Sequence, residues 1–100
     1  MHDIEPNTIV TIKLDSGEEV IAKFVVDLET YVTIMKPLVI MMSPQGLAFG
    51  TWVATMEQDK DINIAKNHIM SIGKTNEKVV TEYTNATSSI KQPPKSKIIT

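Results

Sequence analysis

Lys66-Asn67-His68 sets a cation, an amide and an imidazole side by side. Such a run can meet a phosphate or donate to a base edge. Tyr31 adds a ring that can stack on a nucleobase, a contact worth ~1–3 kcal/mol per base. Each residue also has a plainer account. Tyr31 suits a strand start with its hydroxyl in water. Lys66 suits a solvated loop, His68 a polar turn, and Asn67 a left-handed turn position. Glu18 and Glu19 are strand neighbours pointing to opposite faces, so they cannot form an acid/base couple. His2 and His68 are the only histidines, and cysteine is absent. That excludes disulfides, cysteine metal sites and thiol nucleophiles. With no glycine-rich phosphate loop and no nucleophile–histidine–acid arrangement, the chain reads as a non-enzyme, without cofactor or metal.

Charge narrows the partners. All 10 basic residues are lysines, against 12 acids, for a net charge of −2. Lys91, Lys95 and Lys97 lie in the last ten residues, where there is no acid. The body is therefore clearly acidic, unlike a general nucleic-acid binder. Arginine's bidentate fork is missing. The tail reads as solvated and disordered rather than as a weak electrostatic tether to RNA or to an acidic partner. No apolar run is long enough to span a membrane, and the N-terminus does not read as a signal peptide, so a soluble cytoplasmic protein is expected.

One hundred residues make one small domain. Ile, Val and Thr supply 33 of them, which favours strands. Alternation predicts strands at 8–14 and 18–26, joined by a turn at Gly17; Val25 breaks the period and implies a bend. A third strand runs from Tyr31 to Met42, with an edge position or bulge at Pro37. Ser43-Pro44-Gln45-Gly46 is a turn. A fourth strand covers Leu47–Thr55, a short strand segment follows at Ile62–Ala65, and Ile69–Ile72 is the last short strand. Trp52 reads as a core or interface anchor, and Met35, Met41, Met42, Met56 and Met70 as core and interface filling. The period then becomes helical: Val79, Tyr83, Ala86 and Ile90 share a stripe, with Thr75 or Asn76 as cap. The resulting organisation is an N-terminal arm (1–7), a β-barrel (8–74), a helix (75–90) and a basic tail (91–100). The fold class is mainly β: a small, strongly bent five-stranded barrel with a C-terminal α-helix.

Three stretches carry a family likeness: Lys13-Leu14-x-x-Gly17-Glu18-Glu19-Val20-Ile21-Ala22, Met35-Lys36-Pro37-Leu38-Val39-Ile40, and Ile62-x-Ile64-x-Lys66-x-His68-Ile69. With the Tyr83…Ser88-Ser89-Ile90 segment, the chain resembles the Sm-like family (LSm and Hfq-type proteins). It is similar in particular to the short Sm-like proteins of T4-like bacteriophages and cyanophages. The resemblance implies an SH3-like barrel, a homo-oligomeric ring in which the fourth strand meets the fifth of a neighbour, and single-stranded RNA bound at the pore rim. It also implies residence in the cytoplasm of an infected bacterium. Glu29 takes the place of the family's acid, Tyr31 of its stacking residue, and Thr33 stands where the family has asparagine. Lys66 matches the family's cation, Asn67 departs from the pattern, and His68 lies one position late. Weak, strongly salt-dependent RNA binding at Glu29, Tyr31, Thr33, Lys66, Asn67 and His68 is one expectation. The other is a structural or protein-docking ring with no nucleic-acid ligand.

Overall fold

Strict alternation builds the first hairpin. β1 (Ile9–Leu14) buries Val10, Ile12 and Leu14, and β2 (Glu19–Asp27) buries Val20, Ala22 and Phe24 on the same side. Gly17 closes the turn at φ +100°, a conformation open to glycine at little cost. The computed structural model describes residues 4–90. Beyond β2 come β3 (Tyr31–Ser43), β4 (Gly46–Thr51), β5 (Ile62–Ala65), a single 3-10 turn (Lys66–His68), β6 (Ile69–Lys74) and the helix α1 (Glu77–Ile90). The protein is mainly β: one antiparallel sheet of six strands and a C-terminal helix.

The count is six rather than five. The 3-10 turn separates β5 from β6, and the two have different partners: β5 pairs with β3, and β6 with β1. The hydrogen-bonded path runs β4-β3-β2-β1-β6, with β5 branching from β3. Its ends do not meet, so the sheet is bent but not closed into a barrel. β4 stops at Thr51 instead of reaching Thr55. The chain turns there, with the Met56 amide donating to the Val53 carbonyl at 3.1 Å.

The bend has two sources, both in the β2–β3 register. Ile21 pairs with Leu38 and Lys23 with Met35, so Lys36 and Pro37 together face Ala22. Proline cannot donate to a ladder, and the extra residue forms a bulge that increases local twist. Lys36 adopts φ +54°, uncommon for a side chain with a Cβ. Farther along, Phe24 pairs with Ile34 and Val26 with Thr33, leaving Val25 as the extra residue on β2. Below the bulge β3 pairs with β5; above it, with β4.

One apolar cluster fills the concave side: Val10, Ile12, Val20, Phe24, Val32, Ile34, Ile62 and Ile64 are all buried. Trp52 packs against it and donates its indole N–H to Glu18 at 3.1 Å. A second cluster joins the helix to the other side of the sheet. Tyr83 packs with Ile21 and Leu38, and Val79 and Ala86 flank it. Asn76 caps the helix by accepting the Val79 N–H at 2.9 Å. Met41, Met42, Met56 and Met70 are exposed, so they do not fill the core in this chain. The expectations for the side chain of Ile90, for 1–3 and for the tail 91–100 lie outside the described residues. Among those described, no helix is long and apolar enough to cross a membrane.

The Tyr83 hydroxyl fastens α1 to the bulge. It donates to the Lys36 carbonyl at 2.5 Å and also meets the Lys23 backbone. Burial pushes this phenol well above its ordinary pKa, the Lys23 backbone bond opposing only in part. Tyr83→Phe deprives a sheltered carbonyl of its donor and should cost about 1–2 kcal/mol in urea denaturation. The linkage has a definite sign. The folded state holds the proton more tightly, so stability is full below the unfolded pKa of about 10 and falls as pH rises above it. Denaturation between roughly pH 9 and 11 should show this fall in the parent chain and a flatter profile in Tyr83→Phe.

Candidate nucleic-acid interface

The two-stranded ribbon of β3 and β5 has two unlike faces. Pairing is Tyr31 with Ala65, Val32 with Ile64, Thr33 with Asn63, and Ile34 with Ile62. Side chains alternate along a strand. Val32, Ile34, Ile62 and Ile64 therefore enter the core, leaving Tyr31, Thr33, Asn63 and Ala65 on the other face. The Lys66 amide donates to the Thr30 carbonyl at 3.0 Å and extends the ladder into the 3-10 turn. This bond brings the start of β3 against the turn after β5. Thr30, Tyr31, Asn63, Ala65, Lys66 and Asn67 line one open depression.

Three of the six sequence-selected residues thus converge: Tyr31, Lys66 and Asn67. Thr33 is buried beside them and donates its hydroxyl to Asn63 Oδ1 at 2.8 Å. Glu29 is exposed in the β2–β3 turn and does not line the depression. His68 turns toward the β1–β2 turn, its Nδ1 lying 2.9 Å from Asp15 Oδ2. The Asp15 amide also donates to the His68 carbonyl at 2.9 Å, so backbone and side chain hold the residue there.

Asn63 is the residue that sequence reading missed. An amide does stand next to position 33, but it comes from the neighbouring strand. The bond from Thr33 occupies its carbonyl oxygen and orients the side chain, which leaves the amide nitrogen as the outward donor. The available signal was the polar position within Ile62-x-Ile64, which had to face away from the core.

The electrostatics differ from those of a bare cation. Lys66 Nζ lies 2.5 Å from Asp27 Oδ1, with side chains 28% and 17% exposed. Much of the ammonium charge is therefore balanced before any phosphate arrives. The depression offers a ring, amide groups and a lysine whose charge is met by Asp27 outside the lining residues. Among the described residues, no group of three or more His, Cys, Asp or Glu is placed to hold a metal ion.

Comparison with protein-family models and with curated proteins finds no match.

Lys66→Met removes the ammonium beside a sheltered carboxylate and should destabilise the protein by about 1 kcal/mol, between the values for exposed and buried pairs. Adding Asp27→Asn should recover part of that loss. A double-mutant cycle in chemical denaturation measures the coupling; additive single effects would show that the pair contributes nothing.

Proposed function

We propose that this chain is an Sm-like, ring-forming protein that binds single-stranded RNA weakly at the depression between β3 and the Lys66–His68 turn. The observation that carries the reading is the convergence of Tyr31, Lys66 and Asn67 in that depression. These positions come from the two segments that the resemblance to Sm-like proteins assigns to the RNA site. The bent antiparallel sheet supports the barrel part of the reading, with a partly open Sm-like barrel completed by a neighbour. No catalytic role is assigned. The cytoplasm of a phage-infected bacterium is the setting that the same resemblance implies.

Assembly follows from the two ends of the sheet. Among the described residues, β4 and β6 each have one side without a strand partner. Such edges invite pairing, and a head-to-tail ring uses them up. Met70 on β6 is an exposed apolar residue on one of those end strands. In the ring, β4 of one subunit meets β6 of the next.

A second reading, a structural or protein-docking ring without RNA, is favoured by one specific observation. The Lys66–Asp27 pair neutralises the candidate cation on an already acidic body. Both readings share the ring and separate on nucleic acid.

Native mass spectrometry at micromolar concentration should show a closed homo-oligomer; a monomer there would defeat the assembly. Fluorescence anisotropy with short uridine- and adenosine-rich RNA separates the two functions. At low salt, binding should be weak and should be lost in Tyr31→Ala. Lys66→Ala should change the salt slope by less than one ion per subunit, because its charge is already balanced. Deletion from Lys91 controls for a tail-driven interaction. An intact ring that binds no RNA at low salt leaves the docking reading.

A further inference from the structure

A second groove lies on the helix side of the sheet, away from the Tyr31 depression, with a volume of about 620 Å³. That is within the ~300–1,000 Å³ range of pockets that hold small ligands. Its apolar walls include Ile21, Ile40, Met41, Met42, Leu47 and Val79. Met41, Met42 and Leu47 are exposed, an unusual cost for so small a protein. Glu19 lines the same groove; Glu18 borders it too, but its carboxylate accepts the Trp52 indole N–H at 3.1 Å. Lys13 is the one lysine lining it, and its ammonium is bonded to the Gly17 carbonyl at 3.1 Å.

The sequence after the helix has the complementary chemistry. Residues 91–100 read Lys-Gln-Pro-Pro-Lys-Ser-Lys-Ile-Ile-Thr, with three lysines, no acid and one apolar pair, Ile98-Ile99. Reach decides whether the same chain can supply the occupant. Asn76 and Val79 line the groove, so it opens at the start of α1, which is 14 residues long. That helix spans roughly 20 Å. Eight residues from Ile90 to Ile98 extend at most about 26–29 Å. The segment can therefore return along the helix with little slack. Pro93-Pro94 restricts it, lowering the entropy lost on seating.

We propose that residues 95–100 seat on this groove of their own chain, with Ile98 and Ile99 among Met41, Met42 and Leu47, and Lys95 and Lys97 about Glu19. The occupant covers exposed apolar surface and brings positive charge to the acid on this side of the sheet. The inference does not depend on RNA binding.

The absence of cysteine makes the test clean, because Thr100→Cys gives one attachment point for a nitroxide in the full chain. With 13C-methyl methionine, the spin label should strongly reduce the Met41 and Met42 methyl signals, and more than those of Met56 and Met70. Reduction of the nitroxide should restore them. Ile98→Ser with Ile99→Ser should abolish the effect, and high salt should weaken it. Equal attenuation of all methionines would overturn the proposal. So would attenuation that persists when label and isotope are on different chains, which assigns the groove to a second copy's tail. Met41 and Met42 signals that move on dilution but ignore the tail would assign it to the body of a second copy.

Discussion

The Lys36-Pro37 bulge is the constraint on which the rest of the structure depends. A thirteen-residue strand that ran straight would offer one partner along each edge. Two residues facing one force β3 to change direction, so its first part can meet β5 and its second part β4. The concave core exists because of that turn, and so does the helix site. The bulge interrupts the ladder and leaves the Lys36 carbonyl to find another donor, which Tyr83 supplies from α1. Backbone strain at Lys36, proline chemistry at position 37 and helix docking through Tyr83 are thus parts of one local solution.

Much of this was legible in the residues, and what was not has a common cause. Pro37 and Val25 announced their irregularities because proline lacks a donor and a broken period cannot hide. Asn76 and the Val79–Tyr83–Ala86 stripe announced the helix in the same way. These signals are local. The depression depends on pairs far apart in sequence: Thr33 with Asn63, thirty positions on, and Asp27 with Lys66. No pattern within a strand reveals the register that joins them. The end of β4, at Thr51, is hidden in the sequence for a different reason. Trp52 and Val53 favour strands by type, but hydrogen bonding in the Val53–Met56 turn prevailed over propensity.

Those long-range pairs also change the chemistry that a residue-by-residue reading assigns to the depression. Lys66 alone suggests a phosphate contact. Paired with Asp27 it becomes a half-sheltered dipole that anchors the turn after β5 to the end of β2. Thr33 alone suggests a lost amide. Bonded to Asn63 it is the group that orients one. The depression therefore combines a ring and amides with a lysine whose charge is already met by Asp27.

The closing contacts of the sheet carry a consequence for synthesis. Among the described strands β1 is made first, yet its second edge is filled by β6, and the bond between Thr11 and Thr75 spans 64 positions. At ~5–20 residues per second, a ribosome needs roughly 3–13 s to cover that distance. During this interval the β1–β2–β3 meander can form without β5, β6 or α1. Its inner residues Val10, Ile12, Val20 and Phe24 would then lack their last covering layers. The nascent chain passes through a stage with one long unpaired edge and an open apolar face. That face stays open until β6 has left the tunnel and can pair with β1.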